Sequence, residues 1–201
     1  MKNIIFGIAI AATTLAACNS GNNRSTETQS ISKDSTAVKQ QTGDKIETTP
    51  AVAETKSAVS INEIVTTYLQ IKNAFTVDNS TGAAAAGTSL ENAFKTFDKN
   101  ALSADQKKIF EDVEEDAREH AEHIVKNGGN IAHQREHFEI LSKDVYDLVK
   151  IFGGGQALYK DFCPMYNDNK GAFWLSETKE IKNPYLGKAM PTCGTIQEEL
   201  K

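Results

Sequence analysis

Sulfur, tryptophan and histidine are scarce in this sequence, and positive charge is in deficit. The 201 residues hold three cysteines, three methionines, one tryptophan and four histidines. Twenty-two basic against 27 acidic residues leave a net charge of −5. A negative chain offers no basic face to phosphates, which argues against nucleic acid as a partner and is compatible with a cation. There is no nucleophile elbow, and Gly153-Gly154-Gly155 lacks the lysine and serine of a phosphate-binding loop. Asn167-Asp168-Asn169-Lys170-Gly171 falls short of a calcium loop. With Gly171 at the sixth position, Tyr166 and Lys170 stand where oxygen ligands are required. Cys163 and Cys193 are too far apart for a thioredoxin-type pair. Beyond the N-terminus no stretch is apolar enough to cross a bilayer, and no internal repeat is visible.

What is present begins with an export signal. Lys2 supplies a positive start, and residues 4–15 form an uncharged apolar run too short to span a bilayer as a helix. Leu15-Ala16-Ala17-Cys18 then resembles the lipobox of bacterial lipoproteins. That resemblance implies removal of residues 1–17, lipidation of the Cys18 sulfur, and anchoring by acyl chains without a transmembrane helix. The expected product is exported and lipid-anchored, its domain facing the periplasm. Asn19 is consistent with the outer membrane. Residues 19–59 are rich in Ser, Thr, Asn, Gln and Lys and have almost no large apolar residue, so they cannot offset their ordering entropy. Residues 18–59 therefore read as anchor and disordered tether. The five basic and five acidic residues of 19–59 cancel, so the mature charge of −6 sits on residues 60–201.

The folded part reads as all-α: an antiparallel four-helix bundle over residues 60–155, with an irregular Cys/Met-containing segment, 156–201, packed on it in the same domain. Ser60-Ile61-Asn62-Glu63 has the form of a capping box. Ile61, Ile64, Val65, Tyr68, Leu69, Ile71, Lys72 and Phe75 continue it as a helical stripe ending near Asp78-Asn79. A second helix runs through Ala83, Leu90, Ala93, Phe94 and Phe97, weakened early by Gly82 and Gly87. Ser103-Ala104-Asp105-Gln106 is another capping box, opening a helix with Phe110, Val113, Ala117, His120 and Ile124 on one face. Gly128-Gly129 breaks it. Ile131, Gln134, Phe138, Leu141, Val145, Leu148 and Phe152 form the fourth stripe, which ends at Gly153. In the tail, Ala157 to Phe162 is expected to be a short helix and Gly171 to Leu175 a strand, with turns at Asn183-Pro184 and Pro191. The acidic run Glu111, Asp112, Glu114, Glu115, Asp116 reads as a solvated face.

All four histidines, His120, His123, His133 and His137, fall within eighteen residues around the Gly128-Gly129 break. In an antiparallel hairpin, equal distances from the turn mean equal heights. His123 is therefore level with His133, and His120 with His137, and each pair lies on one face of its own helix. Such a set can present two to four imidazoles to one ion. The plainer alternative is that His120 is a satisfied core residue and the others are solvated.

A second cluster is sulfur. Cys163-Pro164-Met165 and Met190-Pro191-Thr192-Cys193 are near mirror images, each with one thiol and one thioether. Thiolate and thioether suit Cu(I) over hard cations. In an oxidising compartment a Cys163–Cys193 disulfide competes with that reading, and in the chain-entropy model it would contribute roughly 3–4 kcal/mol.

Several stretches together resemble one family, the bacterial domain of unknown function numbered 3347. They are Tyr68-Leu69-Gln70-Ile71-Lys72-Asn73-Ala74, His133-Gln134-Arg135-Glu136-His137-Phe138, Cys163-Pro164-Met165, and the run from Trp174-Leu175-Ser176 to Met190-Pro191-Thr192-Cys193-Gly194. The resemblance extends over about residues 60–195. Its members are small exported proteins or lipoproteins, or domains fused to adaptor subunits of heavy-metal efflux pumps. The resemblance implies handling of copper or silver and an efflux adaptor as partner. Carried over by position, it points to His137, Cys163, Met165, Met190 and Cys193, while His120, His123 and His133 rest on hairpin geometry. The expected function is soft-metal binding for buffering or delivery. One rival is a disulfide-stabilised interaction module without metal. Another is a metal-dependent enzyme with Glu119, Glu122 or Glu136 as base, although no catalytic constellation repeats a known pattern.

Overall fold

The computed structural model describes residues 59–201. The signal segment, Cys18 and the tether lie outside the described residues, apart from the tether's last position. Four helices come first: α1 (Asn62–Thr76), α2 (Ser80–Thr96), α3 (Ala104–Lys126) and α4 (Ile131–Phe152). Three strands follow: β1 (Leu158–Cys163), β2 (Ala172–Ser176) and β3 (Thr195–Leu200), in an antiparallel sheet ordered β2-β1-β3. Consecutive helices pack on one another, and α1 returns to touch α4. The sheet lies against α4 and α1 through β2. Among the described residues no helix is long and apolar enough to cross a membrane.

The molecule is thus mostly helical, but not all-α, and its C-terminal segment is not irregular. The stretch from Ala157 to Phe162, expected to be a short helix, instead supplies most of the central strand, β1, paired with β2 from Tyr159–Ser176 to Cys163–Ala172 and with β3 from Leu158–Leu200 to Phe162–Thr195. The β3 partner lies 33 to 42 residues away along the chain, so no local window reveals it. Once paired on both edges, the β1 backbone has its ladder hydrogen bonds, which a two-turn helix after three glycines could not match.

Helix ends follow local chemistry in three of four cases. Ser103 and Gln106 form their reciprocal box, Gln106 N–H donating to Ser103 Oγ at 3.3 Å and Ser103 N–H to Gln106 Oε1 at 3.1 Å. Asn79 caps α2 by accepting from Gly82 N–H at 2.9 Å, three residues earlier than the apolar stripe suggests. Asn130 caps α4 by accepting from His133 N–H. The box expected at Ser60 does not form. Ile61 is drawn into the core and takes the cap position itself, and Ser60 Oγ reaches only Asn62 N–H. Gly87 has a packing role: a β-carbon there would meet Val125 Cγ2 at 2.9 Å, so its absence lets α2 approach α3.

Aromatic rings join bundle to sheet. Phe138 stacks on Tyr68 with centroids 5.2 Å apart and meets Phe75 edge-on, and Tyr185 bridges Phe138 and Trp174. Tyr68 OH hydrogen-bonds Ser142 Oγ at 2.8 Å and accepts from Leu175 N–H at 3.0 Å, tying α1 to α4 and β2. Arg135 on α4 donates to the carbonyls of Pro184 and Phe75 and pairs with Asp78, pinning the 184–187 loop to the end of α1.

One buried carboxyl sets a pH dependence. Asp161 on β1 is fully buried, and neither of its oxygens has a hydrogen-bond partner among the described residues. Burial pushes its acid from 3.8 up to about 7, against the opposing pull of Lys72. The unfolded chain therefore loses this proton first. Stability from the group is complete below the unfolded value and is lost as pH climbs to the folded one. Asp161→Asn is expected to exceed the native chain by up to about 4 kcal/mol near pH 8, with the gap closing towards about pH 4. Urea midpoints at both pH values check this, and a gap independent of pH would show that the carboxyl does not titrate as argued.

Candidate metal centre

The α3–α4 hairpin gathers the four histidines. Gly129 turns the chain with φ of 116°, a conformation that favours glycine. Beyond it the two helices lie side by side; His120 stands level with His137 as expected, whereas His123 packs closer to His137 than to His133. His120 Nδ1 lies 2.9 Å from His137 Nδ1, and the His123 and His133 rings are 6.2 Å apart. His123 also stacks on His137 at 4.1 Å. One ring nitrogen from each of His123, His133 and His137 lies within 4.8 Å of the others. His120 is buried, while the other three are half-exposed along the groove.

Hydrogen-bond partners assign the ring protons. Asp116 Oδ1 is 3.4 Å from His120 Nε2, which favours a proton on that nitrogen. His120 Nδ1 then accepts from His137 Nδ1–H. Glu136 Oε2, 2.9 Å from His133 Nδ1, holds the other ring's proton. In that tautomer set His137 Nε2 and His133 Nε2 both present lone pairs, and the two nitrogens lie 3.3 Å apart. Two lone pairs at that distance repel unless a proton or a metal ion lies between them. With metal–nitrogen bonds of roughly 2.0–2.1 Å, a tetrahedral angle separates two ligand nitrogens by roughly 3.3–3.4 Å. The carboxylates behind the rings serve as the outer partners that fix imidazole tautomers in metal sites.

Electrostatics keep the rings in the ligating form. Burial, then the neighbouring His123, His120 and His133, push His137 down to about 4. Burial likewise lowers His120, against Asp116 and Glu119. Both rings are neutral at neutral pH, as a ligand must be.

A second donor group adjoins the first. Oxygens of Asp116 and Asp144 and a ring nitrogen of His120 lie within 4.8 Å of one another. Burial, then Asp116 and Asp147, push Asp144 up to about 7. Sequence reading missed this group. Asp116 was hidden in the acidic run, and Asp144 carried no mark. The spacings do hold a signal, since Asp116 is one turn from His120 and Asp144 two turns from His137, on the histidine face of each helix. The acidic run is also not uniformly solvated: Glu114 is buried and paired with Lys99.

The sulfur residues lie in a different place from the imidazoles. Cys163, at the end of β1, is fully buried, and its Sγ lies 2.8 Å from that of half-buried Cys193. The Cys163 contact, then burial, push the Cys193 thiol up. Met165 and Met190 are exposed. Among the described residues no imidazole or carboxylate joins the two thiols in a three-donor group.

Residues 64–157 match the sequence model of the family described as "Protein of unknown function (DUF3347)". The matched stretch spans nearly all four helices and stops just before β1. It is shorter than the resemblance read from motifs: all four histidines fall inside it, and Cys163, Met165, Met190 and Cys193 fall beyond it. Nothing matches among curated proteins or among solved structures.

Proposed function

We propose that this chain, similar over its helices to a family of unknown function, is a lipid-anchored exported protein that holds a copper ion in its α3–α4 histidine groove. There it buffers the ion or passes it to an efflux partner. The observation that carries this reading is the convergence of His133 Nε2 and His137 Nε2 at 3.3 Å with His123 stacked alongside. Of the divalent first-row ions, Cu(II) binds nitrogen sites most tightly. The Cys163/Cys193 thiols, with Met165 and Met190 adjacent in sequence, supply soft donors for Cu(I) when reduced. The first test is competition titration of the full chain with Cu(II), and under reduction with Cu(I), against a chelator of known affinity. Stoichiometric Cu(II) uptake that survives Cys163→Ser and Cys193→Ser is expected. Failure to compete with the chelator overturns the reading.

The 2.8 Å contact between the thiols, without a third donor, favours a second reading for that corner alone. There the pair closes as a disulfide staple in an oxidising compartment. Alkylation of the unfolded, unreduced protein distinguishes the two, because a bridge gains no mass at either cysteine.

A further inference from the structure

We propose that Asp116, His120 and Asp144 form a second cation site, for a divalent first-row ion held mainly through carboxylate oxygen. Asp116 and His120 stand one turn apart on α3, and Asp144 faces them from α4. A carboxylate pair on a helix hairpin is by itself ordinary. What sets this one apart is Asp144. Its residue is nine-tenths buried, and its Oδ2 is shut away from solvent without any hydrogen-bond partner. Buried oxygens are almost always satisfied, because leaving one unpaired forfeits its hydration for nothing. No lysine or arginine among the described residues forms an ion pair with Asp144 or Asp116. The nearest complement is His120, itself buried and 3.4 Å from Asp116. Two carboxylates and one neutral imidazole carry the charge that a divalent cation neutralises.

The donor set selects the ion class. Two oxygens and one nitrogen, with no sulfur, suit Mn2+ or Zn2+ and give Cu(I) nothing to prefer. The site meets the three-histidine group at His120, whose Nδ1 faces His137 while Nε2 faces Asp116. An ion on Nε2 takes the place of the proton there. The ring proton then sits on Nδ1 and is donated to His137 Nδ1, which moves the His137 proton to Nε2, so an ion at this site competes with one on His137 Nε2. The inference goes beyond the copper reading and does not depend on it.

Mn2+ is the discriminating probe, since it favours carboxylate over thiolate and imidazole. The full chain is titrated with Mn2+ alone, and the free ion is followed by electron paramagnetic resonance. One bound Mn2+ is expected, with affinity lowered at least about tenfold by Asp144→Asn and by Asp116→Asn. Asp116 is exposed, so its variant tests the site without touching the core. The His123→Ala, His133→Ala chain should bind Mn2+ as before, and this separates the site from the copper groove whether or not the groove takes copper. Absence of Mn2+ binding, or binding indifferent to both aspartate variants, overturns the proposal.

Discussion

His137→Ala is expected to weaken Cu(II) binding by about a hundredfold while leaving the fold intact, a loss of about 3 kcal/mol in binding free energy. His137 is the hub of the groove. Its Nδ1 meets His120, its Nε2 faces His133, and its ring stacks on His123 within 11° of parallel. Removing it deletes one of the two converging nitrogens and leaves His133 with only the His123 ring as a neighbouring donor. The fold should tolerate the loss, because the side chain lies in the groove and not in the aromatic core. His137 is held down to about 4, so a proton is a poor competitor for its nitrogen until the pH falls near that value. His123→Ala, which removes a more exposed ring outside the 3.3 Å pair, should cost about tenfold less than His137→Ala. Competition titration of the three full-length chains at neutral pH measures the series. Equal affinities in native and His137→Ala chains would place the ion elsewhere.

That groove was legible in the sequence because it depends on local spacing. A glycine pair sets the turn, and a helix rise of about 1.5 Å per residue turns counts from the turn into heights. His120 against His137 follows from that arithmetic alone. The carboxylates behind the rings were less visible. Asp116 and Glu136 look like any charge on a solvated helix face until the partner ring is placed, and Asp144 becomes conspicuous only when its burial is known.

The C-terminal part was hard to read for a different reason. Leu158 to Cys163 carries mixed polar and apolar residues, with Lys160 and Asp161 at its centre, and nothing local decides between helix and strand. Pairing decides it, and the pairing with β3 is long-range. The same distance brings Cys163 to Cys193, a closeness that the mirrored Cys-Pro-Met and Met-Pro-Thr-Cys motifs hinted at. It does not bring the sulfurs and imidazoles into one cluster, because the histidines sit in the α3–α4 groove while β2 of the sheet packs on α4 and α1. At Ser60 local chemistry lost to burial: the capping pattern was present, but the pull of Ile61 into the core moved the helix start.

One position along from the hub, the opposite outcome is expected. Phe138→Ala should cost about 4 kcal/mol of stability and lower the melting temperature by about 10 °C or more. Phe138 is fully buried, and its ring lies within 5.2–5.6 Å of Tyr68, Phe75 and Tyr185. Those three rings come from α1 and from the loop before β3, so the cavity would open where bundle and sheet meet. Its rigid neighbours, held by the Tyr68–Ser142 and Tyr68–Leu175 hydrogen bonds, cannot collapse to fill it. A loss of that size is a large share of the stability of an ordinary domain. Phe138→Leu, which keeps most of the volume, should recover about half of it. Urea unfolding followed by circular dichroism measures all three chains. The pair of substitutions also tests how the groove is aimed: Phe138 fixes the rotation of α4, and that rotation turns His133 and His137 towards α3. Copper affinity of Phe138→Leu, taken where the chain remains folded, should therefore fall less than tenfold, against about a hundredfold for His137→Ala. A Phe138→Ala chain as stable as the native one would mean that these rings are not what joins bundle to sheet, and the orientation of the histidines would need another cause.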